Sequence, residues 1–130
     1  MASVDNEFVL MVTELLSPLG TIRPRRMFGG FGLYCDGMFF ALVFDDVLYL
    51  KGDEQTQATY DKIGMARFVV PSQKAPHTIA YFEAPGEWLD DQDRLLEFAQ
   101  MAFGAALRAQ AAKKRPKKSA GKRSPREKKP

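Results

Sequence analysis

The run Phe28-Gly29-Gly30-Phe31-Gly32 contains the first residues whose types could do chemistry, because closely spaced glycines let a backbone approach a phosphate. A phosphate-cradling loop follows a strand and opens a helix. Here Leu33-Tyr34 and a turn follow instead, with no Gly-Lys-Ser/Thr behind them. Cys35 also stands where the last glycine of a dinucleotide fingerprint starting at Gly30 would fall. The glycines are therefore expected to serve a bent or closely packed strand.

Arg23, Arg25 and Arg26 cluster just ahead of that strand. Arginine forks suit carboxylate or phosphate, so Arg25 and Arg26 are candidate ligand or partner contacts, with internal ion pairing as the alternative. Asp36, Asp45, Asp46 and Asp53 suggest paired carboxylates. Three of them fall in or beside expected turns, where aspartate serves local hydrogen bonding. Asp36 and Asp45 sit at opposite ends of one expected strand, roughly 30 Å apart at about 3.3 Å per residue, too far to share an ion. Asp45 and Asp46 are adjacent, but a turn is the simpler reading. Cys35 and His77 are the one cysteine and the one histidine. Nothing local would lower the thiol pKa of Cys35. No catalytic residue, metal or cofactor is expected.

The basic segment has a clear physical partner class. Residues 111–130 carry ten Lys and Arg against Glu127, a net of +9, while residues 1–110 carry nine against fifteen acids, a net of −6. The overall +3 hides this split, so the whole chain is not a basic DNA binder. Lys113, Lys114, Arg115, Lys117, Lys118, Lys122, Arg123, Arg126, Lys128 and Lys129 form a polyelectrolyte that would release counterions from DNA. Neutralising about five to eight phosphates would give a log–log salt slope of about −4 to −7. No aromatic residue interrupts the segment, so base stacking is not on offer and attraction would be independent of sequence. A merely solubilising role is the alternative.

Several elements must position these residues. Ser3 to Leu16 reads as a helix with Val4, Phe8, Met11, Val12 and Leu15 on one face, capped by Ser3 and stopped by Ser17-Pro18 and Gly20. Roughly Met27–Tyr34, Met38–Phe44 and Val47–Lys51 read as a three-stranded meander. Asp36-Gly37 is a strong hairpin turn and Asp45-Asp46 a weaker one. Glu54 to Ile63 reads as a helix ended by Gly64. Arg67–Val70 and Thr78–Glu83 read as strands around a polar loop at 72–76. The last helix spans Asp91 to about Ala111, capped by Asp90 or Asp91. Leu95, Ala99, Ala102 and Ala106 form one stripe, widened by Leu96, Phe98 and Phe103. The expected fold is α+β: one domain at 1–111, an antiparallel sheet packed by N- and C-terminal helices. A Lys/Arg/Pro-rich segment at 112–130, too poor in apolar residues to fold, would be disordered.

At 130 residues the chain suits one domain. No apolar run approaches the roughly 18 residues of a membrane helix. Residues 1–7 lack the base and apolar stretch of a secretory leader. A single cysteine excludes an internal disulfide. A cytoplasmic protein without a membrane partner is expected, near the nucleoid if the basic segment holds DNA.

The segment Arg25-Arg26-Met27-Phe28-Gly29-Gly30-Phe31-Gly32-Leu33-Tyr34 resembles the opening of the TfoX N-terminal domain of the TfoX/Sxy family. Asp36-Gly37-Met38-Phe39-Phe40-Ala41-Leu42-Val43 and Asp45-Asp46-Val47-Leu48-Tyr49-Leu50-Lys51 extend the likeness. Tyr81-Phe82-Glu83-Ala84-Pro85 and the alanine-rich last helix complete it over about residues 5–110. The family is associated with competence for DNA transformation in bacteria. Its namesakes carry a helical, DNA-related module after this domain, where this chain has the basic segment. The resemblance implies a non-enzymatic regulator that contacts a protein partner or a second copy of itself. With the basic segment it would also attract DNA non-specifically. An interaction module with a solubilising segment is the alternative, and a small ligand binder using Arg25, Arg26 and the glycine strand is a third reading.

Overall fold

Residues 22–51 form four strands in succession rather than three. The computed structural model describes residues 6–27, 29–70 and 77–114. β1 (Ile22–Met27) pairs with β2 (Gly30–Cys35), which pairs with β3 (Met38–Phe44), which pairs with β4 (Val47–Lys51), all antiparallel. The expected strand at Met27–Tyr34 is thus the end of one strand and most of the next. β1 escaped the sequence reading because Ile22-Arg23-Pro24-Arg25-Arg26-Met27 has no apolar alternation. It is an edge strand, where a proline without an N–H is tolerated. Both aspartate turns are tight: Asp36 and Gly37 have φ of 51° and 79°, Asp45 and Asp46 of 54° and 59°. Positive φ at both central residues matches the right-handed twist of the flanking strands.

After β4, α2 (Glu54–Ile63) crosses to β5 (Arg67–Val70), and β6 (His77–Glu83) returns between β5 and β4. The six-stranded order is β1-β2-β3-β4-β6-β5, antiparallel throughout. α1 (Glu7–Leu15) precedes the sheet and α3 (Gln92–Lys114) follows it. The α+β architecture with helices at both ends is therefore present.

α3 packs along β3 and β4. Leu95, Ala99, Ala102 and Ala106 are buried as expected, joined by Ala105. Alanines let the helix lie close to the sheet, and Phe98 stacks on Trp88 with ring centroids 4.4 Å apart. Asp91 caps α3, its Oδ1 accepting from the Arg94 N–H at 3.2 Å. The helix runs to Lys114, three residues beyond the expected end, so Lys113 and Lys114 belong to it. Residues 115–130, with the expectation of disorder there, lie outside the described residues, as do Ser3 and Val4.

α1 begins at Glu7, and Asn6 caps it by accepting the Val9 N–H at 3.0 Å. Its buried face is Val9 and Val12 with Leu16 behind, while Met11 is 40 % exposed. Phe8-Val9, Met11-Val12 and Leu15-Leu16 are apolar pairs, so periodicity alone allowed either face. Packing beside β1 selected the second.

A bulge in β3 divides the sheet's two faces. Leu33 pairs with Ala41 but Tyr34 pairs with Phe39, leaving Phe40 as the extra residue. Phe40 is fully buried beneath α3, edge-on to Phe103. Phe39 joins a second cluster with Leu42, Phe44, Tyr49, Phe68, Ile79 and Tyr81, whose members all belong to the sheet.

Candidate functional site

The glycine run forms no phosphate loop. Gly29 lies between β1 and β2 with φ of 81°, and Gly30 opens β2. A Cβ on Gly30 would collide with the Val43 carbonyl oxygen of the next strand. A Cβ on Gly32 would meet the end of Met27 and the edge of Phe39. Close packing explains both, as a crowded strand requires.

Strand alternation separates the two candidate arginines. Arg25 reaches over the Tyr34 ring at 5.4 Å and Arg26 over the Phe31 ring at 5.2 Å. Tyr34 stacks on Phe39 of the open face, whereas Phe31 belongs to the helix-covered core, so the two guanidiniums do not converge. On the open face, Arg25, Tyr34, Phe39, Tyr81 and Lys51 make one continuous ladder. Adjacent rings lie 5.1 Å apart, and the Lys51 Nζ is 5.0 Å from the Tyr81 centroid. Burial pushes the Tyr81 phenol well above its ordinary pKa, with the neighbouring Tyr34 adding to the shift.

Cys35 is inert. It is buried against Gly20 and Leu19 at the end of β2. Burial, and secondarily the Asp36 charge, raise its pKa, so the nucleophilic thiolate is disfavoured. The side chain of His77 lies outside the described residues.

Asp53 does more than the sequence suggested. Its Oδ1 accepts the N–H groups of Gln55 and Thr56, while the Thr56 hydroxyl accepts the Asp53 N–H at 2.8 Å: a capping box at the start of α2. The same carboxylate takes a two-pronged bond from Arg108 of α3, Nε to Oδ2 at 2.6 Å and Nη2 to Oδ1 at 3.1 Å. The Arg108 bond is the main reason the Asp53 carboxyl is held below its usual pKa, against partial desolvation. Nearby, the Tyr60 hydroxyl donates to the Lys51 carbonyl at 2.9 Å, and burial pushes its pKa up to about 12.

This pair forms one wall of an open groove of about 970 Å³ between the start of α2, the end of β4, β5 and β6, and the last turns of α3. Ala105, Ala109 and Ala112 leave room in it, and Lys51 and Arg67 line it. Arg67 lies over the Phe82 ring at 5.1 Å. Lys51 is half-buried. Desolvation lowers its pKa, Lys113 adds to the lowering, and Asp53 opposes it. The sequence reading missed this convergence. Arg108 is the lone cation between Ala105 and Ala112, and it is the one local signal that pointed here.

An open antiparallel sheet with helices on one face and a cationic groove at the end of its last helix defines a small non-membrane-helical module. No described helix is long and apolar enough to cross a membrane. The model of the TfoX N-terminal domain matches residues 14–106, and the chain belongs to that family. It is 29 % identical over 103 residues to DNA transformation protein TfoX1 of Aliivibrio fischeri, covering 79 % of this chain and 47 % of that protein. It is 28 % identical over 118 residues to Protein Sxy of Escherichia coli, covering 83 % of this chain and 52 % of that protein. The chain thus spans about half the length of these curated relatives.

Proposed function

We propose that the protein is a non-enzymatic regulator of the TfoX type, acting in DNA transformation or a related control step. Its acidic domain contacts a protein partner or a second copy. Its basic segment, from Lys113 onward, holds it near DNA by sequence-independent phosphate contacts. One observation carries this reading: a net −6 over residues 1–110 abuts a net +9 over residues 111–130. A relative's name, DNA transformation protein TfoX1, supports the class of process. The aromatic open face supports the protein-contact half, because solvent-facing aromatic clusters suit partner surfaces.

Fluorescence anisotropy tests the DNA half. The full chain is compared with a chain ending at Lys114, the last described residue of α3, on two unrelated duplexes at low and near-physiological salt. The full chain binds both with a slope of about −4 to −7, and the shortened chain loses most of that affinity. Equal affinity of the two chains overturns the role of the segment. Absence of binding by either leaves the interaction-module reading in the lead.

A further inference from the structure

A notch of about 90 Å³ opens where the start of α1, the start of β4 and the turn after β6 meet. Its apolar lining is Phe8, Val47, Leu48, Ala84, Pro85 and Leu89, with room for one aliphatic side chain. A shallow depression of about 540 Å³ shares Phe8 and Asp46 with the notch and adds Asn6, Glu7 and Met11. Leu10 and Met11, on the outer face of α1, are 51 % and 40 % exposed. Among the described residues they are the one adjacent pair of large apolar side chains left in solvent.

The rim is acidic. Asp46 and Glu83 line the notch and Glu7 lines the depression, all three exposed. Among the described residues, neither lining carries a Lys or Arg, and none of these carboxylates makes an ion pair. The negative field reaches the neighbouring strand: after burial, the charges of Glu83 and Asp45 hold the Tyr49 phenol above its ordinary pKa. An apolar hollow rimmed by unmatched carboxylates complements a cationic partner with an aliphatic anchor. The chain's own basic segment offers no such anchor, because no Leu, Ile, Val, Met or aromatic residue follows Leu107.

We propose that the notch and depression dock a lysine- or arginine-rich amphipathic helix of another protein, its aliphatic anchor in the notch and its cations against Glu7, Asp46 and Glu83. The inference rests on the protein-contact half of the reading above and names that partner's chemistry and its seat. It needs neither DNA nor the basic segment. The anchor carries the affinity, because it leaves water for an apolar hollow. The carboxylates favour cationic partners over acidic ones and speed their encounter.

The test uses the full chain and a fluorescein-labelled, amidated helical peptide of leucine and lysine, followed by anisotropy at about 0.1 M salt. Wild type is expected to bind it with micromolar Kd, and to bind the same peptide with alanine for leucine roughly tenfold more weakly. E7Q/D46N/E83Q is compared with E54Q/D61N/E97Q, which removes the same charge at exposed positions on neither lining. Asparagine suits the φ of 59° at Asp46, so the turn is kept. The rim variant is expected to bind roughly tenfold more weakly than wild type, and the control to stay within about twofold. Thermal melts by circular dichroism check folding. Should the rim variant melt early, E7Q/E83Q against E54Q/E97Q replaces the comparison, with a loss of about fivefold. Equal losses in rim and control variants, or equal binding of the alanine peptide, overturn the docking site. A peptide with glutamate for lysine that binds wild type instead also overturns it, but moves the protein contact to the open face that Arg25 and Lys51 border. Binding of neither the lysine nor the glutamate peptide overturns the protein-contact reading as well.

Discussion

The two faces of the sheet bury aromatic rings by different means. On one face, Leu33, Phe40, Val43, Leu48, Leu50 and Phe82 are sealed by helices, and α3 presents alanines so that it can lie close. On the other face the rings seal one another. Phe68 meets Phe44 and Tyr49 edge-on at 5.4 and 4.8 Å, Tyr34 stacks on Phe39, and Arg25 and Lys51 close the two ends of that ladder. Among the described residues, Leu42, Phe68 and Tyr81 are buried by this arrangement, while Tyr34, Phe39, Phe44 and Tyr49 stay partly exposed. A sheet face need not have a second layer to hold a core, provided its side chains are broad, flat and mutually stacked.

The sharpest way to break this comparison is a pair of neighbours in β3. Phe40→Ala removes a ring beneath α3 and is expected to cost about 3–5 kcal/mol, with a fall in Tm of more than about 10 °C. Phe39→Ala, one residue earlier on the open face, is expected to cost about half as much, since part of its ring already meets water. Equal losses in urea denaturation would mean that the open face is as structural as the closed one.

Asp53→Ala comes next. It removes the α2 cap and the link to Arg108, and is expected to cost about 1–2 kcal/mol, most of it from the cap because the ion pair is partly exposed. The pH signature has a definite sign. Asp53 is held below its unfolded pKa, so its stabilisation is complete above that value and is lost as pH falls through the folded one. Thermal melts of wild type and Asp53→Ala should therefore converge on acidification below about pH 4, apart from the cap's neutral contribution.

Arg25→Gln should be mild. The guanidinium is exposed over Tyr34, and its loss is expected to cost about 0.5–1 kcal/mol. Tyr81→Phe should cost less still, about 0.5 kcal/mol, because its hydroxyl donates to the Phe39 carbonyl only at 3.4 Å. A loss above about 2 kcal/mol from Arg25→Gln would show that the cation, not ring stacking, holds the open face together.

Much of this was legible from residue order. The Asp36-Gly37 and Asp45-Asp46 turns, the α3 stripe and the strands at 38–44, 47–51 and 67–70 follow from turn chemistry and side-chain period, which act within a few residues. β1 was illegible because its arginine-rich run buries no residue fully and so carries little apolar signal, and Pro24 argued against a strand there. The arginine cluster looked like one site. Once β1 forms, adjacent residues point to opposite faces, and Arg25 and Arg26 part.

Residue order by itself therefore determined the family likeness, the α+β class, both tight turns and the abrupt change from an acidic to a basic stretch. Each is a property of neighbouring residues or of a simple sum of charge. Tertiary structure alone decided which face of α1 is buried, where Phe40 bulges into the core, and that Asp53 meets Arg108 from fifty-five residues away. It also decided that Lys51 lies over Tyr81 on the open face while Arg67, across β6, lies over Phe82 on the helix-covered face. Apolar pairs leave more than one face available for packing, and a cation's partner is set by whichever strands and helices come to lie beside it. Only long-range packing makes those choices.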